Sequence, residues 1–450
     1  MNDDRAQDAL RLAEAALADA LRQGVTEAEA LVTSEDSALT RFANSEIHQN
    51  VAETNTGINL RVVVGKRVGV ASSGRTDAEG LRRLAENAAA IARVVEELDD
   101  WGGLPGATEI RDVPAAYSRA TAQASPEFRA EAVRAAIGAA DDAGVTAYGS
   151  FATGTESIAV ANSAGARASG TRTTSQLITV SMGPGGGSGY AEAAAVDAST
   201  IDAAALGREA SGKARATANA VSIEPGDYPV VLEEYAVVDL LDMLGYLGFS
   251  ALAVQEERSF FEAGKRIGSD VVTIFDDGDD PAGLPLWFDY EGVAKRRVEL
   301  VERGICREVV YDAQTAARDG VASTGHGLPA PNPWGPFPVN MFMEPGDASR
   351  DDLIGGLDRG LLVTRFHYTN PVHPKLAIVT GMTRDGTFLV EDGKIVGPDK
   401  NLRYTQSYLA ALAGTVAVAS ERKTLKGFLG GVVVPAVRID GWTFTGGTEH

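Results

Sequence analysis

The chain has 450 residues, 44% of them apolar and only 6% aromatic, so it can bury a sizeable core built mainly from small and aliphatic side chains. A formal net charge of −21 argues against nucleic acid or an anionic membrane as a partner, because both select basic surfaces. Cys306 is the only cysteine, which excludes an intrachain disulfide and fits a reducing compartment.

The opening MNDDRAQDAL lacks the basic and apolar segments of a signal peptide, and no apolar run reaches the roughly 20 residues of a membrane span. The expectation is a cytoplasmic protein. Leu10, Ala13, Leu17 and Leu21 recur at helical spacing over residues 6–23, with Gly24 as the stop. Short alternating stretches between residues 27 and 73 predict an antiparallel meander with turns at Asn44-Ser45 and Gly65-Lys66. Thr76 and Asp77 offer caps to a following helix. Residues 99–124 lack periodicity and predict a linker or extended arm. A helix follows over 126–143, then more strands, a glycine-rich break at 183–189, and a helix over 198–219 with Ser199 and Thr200 as caps.

The pattern changes at 220–230. EYAVVDLLDMLGYL predicts a mostly buried helix, followed by long apolar strands. Residues 325–340 hold too many prolines for regular structure and predict an ordered loop. A last helix is expected over 405–423.

The five histidines are His48, His326, His367, His373 and His450. None forms HExxH or HExxxH, the helical pattern that supplies two imidazoles and a water-activating carboxylate. His367 and His373 flank Pro371 and cannot stack on a helix; they are read as residues of a loop over 367–374. There is no nucleophile elbow and no P-loop ending. Cys306 reads as a buried, inert thiol, and the acidic run 276–280 as a solvated turn without the terminal Glu of a calcium loop.

Several signatures then occur in one order: GINLRVVVGKRVGVASS at 57–73, VANSAG at 160–165, the glycine-rich strand end, YPVVLEEYAVVDLLDML at 228–244, AVQEERSFFEAGKRIGSDVVTIFDDG at 253–278, and LLVTRFHYTNP followed by GTFLVEDGKI. Together they resemble the TldD/PmbA family over nearly the whole chain. The resemblance implies an α+β fold. Its N-terminal part, residues 1–223, would hold an antiparallel sheet with flanking helices. Residues 224–450 would form a β-rich domain corresponding to the metallopeptidase domain of TldD.

In that family a TldD subunit carries HExxxH and a later metal-binding cysteine, and pairs with a TldE (PmbA) subunit that lacks them. The hollow dimer degrades unfolded peptides and trims peptide precursors. Placed on the TldD pattern, Asp242 and Leu247 stand where the two histidines would be and Met243 where the Glu would be. Leu cannot ligate zinc and Met has no proton to exchange, so these are degenerate metal-site positions, and Cys306 falls in a different strand from the TldD cysteine.

The resemblance therefore implies a TldE-like subunit with no metal and no catalytic residue of its own. Zinc is expected in a TldD-type partner, which would form a heterodimer with this chain; self-association into a homodimer is the other expected assembly. Peptide would be the substrate, with Gly186, Gly187, His326, His367 and His373 as candidate chamber-lining or peptide-binding residues. Two rival expectations stand beside it. One is a stand-alone metallopeptidase using His367, His373 and Asp242; the other is a non-enzymatic homodimeric binding or scaffold protein. The natural peptide, and any link to DNA gyrase from the family's older description, are not legible in these residues.

Overall fold

The computed structural model of the chain describes residues 2–448; His450 lies outside them. Helix α1 (Asn2–Leu21) leads into β1 (Glu27–Ala43), β2 (Glu46–Val64), β3 (Arg67–Ser73) and α2 (Ala78–Ala92). After an extended arm come the single-turn α3 (Arg119–Ala122), α4 (Pro126–Asp142), β4 (Thr146–Asn162), β5 (Arg167–Met182), β6 (Ser188–Ala195) and α5 (Ala203–Ala216). The six strands form one antiparallel sheet in the order β3-β2-β1-β4-β5-β6.

The expected short strands prove to be continuous. EAEALVTS and ALTRFANS are one 17-residue strand, and EIHQNVAE runs on into GINLRVVVG as a 19-residue strand. Asn44 and Ser45 close this hairpin with φ of 53° and 58°, the left-handed pair that a tight two-residue turn requires. Period-2 alternation sorts β4: Ala159 and Ala161 pack under α1 and α2, while Ile158 and Val160 face the second half of the chain. The buried face of α1 is Ala9, Ala13, Ala16, Leu17 and Ala20, whose small side chains let the helix sit close to the sheet; Leu21 is exposed.

Two helix boundaries differ from expectation. Asp202, not Ser199 or Thr200, caps α5 by accepting the Ala205 amide, and residues 198–200 are a separate 3-10 turn. Residues 405–423 are mostly strand, because Gly414 ends a short helical segment and the β-branched alternation from Thr415 takes over.

The second sheet contains β7 (Gly226–Leu232), β8 (Ile274–Asp276), β9 (Val298–Glu302), β10 (Ile305–Cys306), β11 (Asn340–Met343), β12 (Arg359–His373), β13 (Ile378–Glu391), β14 (Lys394–Pro398), β15 (Leu402–Ser407), β16 (Thr415–Lys426) and β17 (Gly431–Gly447). Strand β7 pairs both with β12 and with β17, so β17, β15, β13, β12 and β7 close into a ring. Helix α6 (Glu234–Gly248) follows β7 directly and packs against β12, β16 and β17. The segment 367–374, expected as a loop, continues β12 to His373. Pairing with β13 outweighs Pro371, at the cost of bulges and a left-handed Tyr368.

The two halves meet in an apolar seam of Leu31, Ile158, Val160 and Ala168 against Trp287, Phe288 and Phe337. Beside it the largely buried Arg61, its side chain 11% exposed, bridges Glu29 at 2.7 Å and Glu291 at 3.0 Å. The arm ties the halves further: Trp101 Nε1 donates to Glu27, and the Gly102 amide to Gln314. Gly170 lies so close to this seam that a Cβ there would sit 2.2 Å from the Trp287 ring. Gly170→Ala should therefore destabilise the chain by about 1–3 kcal/mol through overpacking. Chemical denaturation checks this, and an unchanged midpoint would mean the halves do not pack this closely.

Candidate functional site

Glu233 is the N-cap of helix α6, and the acidic Glu234 in its first turn suits the helix N-terminus. Val237, Leu240, Leu241, Leu244 and Leu247 are at most 2% exposed and belong to the main core. That stripe fixes the rotation of the helix. The residues left to face outward are Asp239, Asp242, Met243 and Tyr246, spaced i, i+3, i+4 and i+7. They form one wall of a cavity of about 630 Å³.

The other walls come from distant parts of the chain. Strand β6 supplies Tyr190 and Glu192, β12 supplies Arg365, Tyr368 and Thr369, and the turn after β16 supplies Gly427 and Phe428. Trp334, from the Pro-rich segment, sits at the rim. Tyr246, Trp334, Tyr368 and Phe428 are all exposed, so the mouth is aromatic.

Two carboxyls stand on the helical wall. Thr369 Oγ1 donates to Asp239 Oδ2 at 2.8 Å, while Asp239 Oδ1 is buried with no hydrogen-bond partner. Burial pushes Asp239 up to about 6, against the lowering influence of Thr369 and Arg365. The Phe428 amide donates to Asp242 Oδ2 at 2.8 Å. Burial, opposed by that amide and reinforced by the neighbouring Asp239, pushes Asp242 up to about 7.

The remaining polar groups satisfy one another. Glu192 accepts from Tyr190 Oη at 2.6 Å and from Gln176 at 2.7 Å. Arg365 pairs with Asp385 and lies 4.4 Å over the Tyr190 ring. Behind the cavity, Glu209 accepts from Lys213 at 2.8 Å, from Lys423 at 3.1 Å and from Tyr235 Oη at 3.0 Å. Burial alone would raise Glu209, but the two lysines more than offset it and hold the carboxyl at about 2.

These residues do not fit a catalytic zinc. The cavity offers three carboxyls (Glu192, Asp239 and Asp242), a thioether and phenols but no imidazole or thiolate, whereas catalytic zinc uses three protein ligands, mainly imidazole, carboxylate and thiolate. Among the described residues no group of three His, Cys, Asp or Glu converges on one point. Asp242 and Met243 face the cavity; Leu247 points into the core instead, because it falls on the apolar stripe. His367 and His373 are six residues apart along β12, on the order of 15–20 Å, and neither joins Asp242, so the His367/His373/Asp242 site is not assembled.

The other expected lining residues lie elsewhere. His326 is fully buried, its Nε2 2.8 Å from Asp276 Oδ1, so it cannot line an open chamber. The same contact corrects the reading of 276–280 as wholly solvated, since Asp276 is buried in β8. Gly186 is exposed on the 184–186 turn, and a Cβ on Gly187 would lie 2.1 Å from the Ala214 carbonyl; neither lines the cavity. His48 is exposed on β2. Cys306 is buried, and burial pushes its thiol up to about 11, out of the reactive range.

Asp239 and Tyr246 are among the α6 lining residues that sequence reasoning passed over. Their signal was present, as polar positions on the same helical row as Asp242 and Met243. Tyr190, Arg365, Thr369 and Phe428 carry no comparable local signal.

The raised carboxyls have a consequence for stability. Asp239 and Asp242 prefer the neutral form in the fold, so their favourable contribution is complete below about pH 4, the ordinary carboxylate range. It is lost as pH rises through about 6 and 7. Asp242→Asn should raise stability at pH 8 by on the order of 1–2 kcal/mol and leave it nearly unchanged at pH 4. Denaturant titrations at the two pH values check this difference.

A family model for the PmbA/TldA metallopeptidase C-terminal domain matches residues 225–446, and one for PmbA/TldA metallopeptidase domain 1 matches residues 28–92. The metalloprotease TldD homolog of Buchnera aphidicola is 29% identical over 212 residues, which cover 45% of this chain and 42% of that protein. A metalloprotease of Methanothermobacter thermautotrophicus is 28% identical over 232 residues, 50% of each. The chain thus spans about half the length of the curated relatives it matches.

Among solved structures, TldE from Thermococcus kodakarensis superposes with a TM-score of 0.89 at 22% identity, over 96% of this chain and 99% of that one. A candidate modulator of a DNA gyrase from Thermotoga maritima gives 0.85 at 21% identity, over 96% and 99%. At these identities the likeness is one of fold. No helix among the described residues is long and apolar enough to cross a membrane.

Proposed function

The chain belongs to the PmbA/TldD metallopeptidase family, and from that premise we propose that it is a TldE-like subunit that binds no catalytic metal and works beside a TldD-type metallopeptidase. The observation that carries this reading is the donor set of α6. The row of the helix that reaches the cavity presents Asp239, Asp242, Met243 and Tyr246. Neither carboxyl has an imidazole beside it, and both are held toward the neutral form. In this reading the chain contributes wall and peptide contacts, and the hydrolytic step belongs to the partner.

Peptide handling suits the site. An aromatic rim holds apolar side chains, and the Asp239 and Asp242 carboxyls on the lining are acceptors for a donor carried by a bound chain. We place this work in the cytoplasm, where the lone, buried Cys306 stays reduced.

The test is capture of the tagged full-length chain from its native host. The expected result is stoichiometric recovery of a second protein bearing HExxxH, with a peptidase activity that the pair shows, a chelator abolishes and the isolated chain lacks. Recovery of the chain with only copies of itself would support the homodimeric scaffold reading and overturn this one.

A further inference from the structure

The cavity over α6 has a recognition chemistry of its own. The acceptors of its two α6 carboxyls are not all used: Asp239 Oδ1 is buried with no partner, and Asp242 is held through Oδ2, by the Phe428 amide. Three of the cations in the neighbourhood are committed. Arg365 is paired with Asp385 and laid over Tyr190, and Lys213 and Lys423 are held by Glu209. An anion entering here would meet three carboxyls, those of Glu192, Asp239 and Asp242, against one exposed lysine on the lining, Lys426. A neutral apolar ligand would leave the Asp239 oxygen without a partner, as it is in the free chain, and would gain nothing from it.

A compact cation with several N–H donors fits both demands. Three donors of one ammonium can reach two carboxyls and still hydrogen-bond a third group. The four exposed aromatic rings at the mouth would pack on an apolar stem and attract the charge.

Resting on the peptide-handling reading above, we infer that this cavity is a binding site for a primary ammonium group on an apolar stem, the chemistry shared by a lysine side chain and the amino terminus of a peptide. Asp239 and Asp242 receive the ammonium, and Tyr246, Trp334, Tyr368 and Phe428 line the approach. The raised affinity of both carboxyls for protons is consistent with this role, because a bound ammonium supplies the positive charge that the empty site lacks. The site would therefore select among peptides without cleaving them.

Isothermal titration of the full-length chain with three blocked or unblocked tripeptide amides tests the inference. One is acetylated with a central lysine, one is acetylated with norleucine in its place, and one is all-alanine with a free amino terminus. The lysine or the free-amine peptide should bind at least about tenfold more tightly than the norleucine peptide, and which of the two does so identifies the source of the ammonium. Asp239→Asn and Asp242→Asn, near-isosteric changes that keep the Thr369 and Phe428 contacts possible, should each erase the preference without lowering thermal stability.

Equal binding of all three peptides, binding of none, or a preference surviving in both variants would overturn the inference. So would a heat of zinc or magnesium binding, abolished in both variants, in place of any peptide preference. Loss of the ammonium preference while an HExxxH partner is still captured would leave the subunit reading standing, so the two failures are distinguishable.

Discussion

Everything about the site depends on how helix α6 is clamped. Its apolar stripe is buried against the strands of the second sheet, and each of these side chains contributes about 1.5–3 kcal/mol by leaving water. Rotating the helix to bring a different row to the cavity would expose several of them at once. The identity of the cavity wall is therefore decided by the core, and the residues at 239, 242, 243 and 246 face inward for a reason unrelated to chemistry. This is also why Leu247 has no part in the cavity, although it is only five positions from Asp242.

A second constraint holds the cavity in shape. Glu209 on α5, Lys423 on β16 and Tyr235 on α6 meet at one point, joined by Lys213, which also reaches Glu233 at 2.6 Å. These groups come from both halves of the chain, so the network locks α5 of the first half to the start of α6. Buried ion pairs of this kind add little net stability compared with apolar packing, yet removing one partner is costly because the other charge is stranded. Their service here is positional. They fix the entrance of α6 relative to β6, and so the distance between the Tyr190–Glu192 wall and the Asp239–Asp242 wall.

Much of the fold was legible in the sequence. The hairpin turn at Asn44-Ser45 and the apolar stripe of α6 both follow from local period and turn chemistry. Elements whose fate depends on long-range pairing were harder to read. Residues 367–374 look like a loop because of Pro371, but β13 recruits them as strand, and 405–423 look helical until Gly414 and the pairing with β17 intervene.

The site was legible only along α6. Asp239 could have been found from its spacing to Asp242, and a polar residue on so apolar a helix is a signal. Arg365, Thr369 and Phe428 arrive through sheet register and one turn, which no local pattern encodes. His326 misled for the opposite reason: a histidine beside glycine in a Pro-rich stretch looks exposed, but the buried Asp276 draws it inside.

The central claim is that this polypeptide's own side chains do not hold a catalytic ion. Metal analysis of the full-length chain, purified without chelator and free of any partner, tests it most directly. The account predicts zinc far below one ion per chain and no peptidase activity. One tightly held zinc per chain, with peptide cleavage that is lost on chelation and restored by zinc, would contradict it.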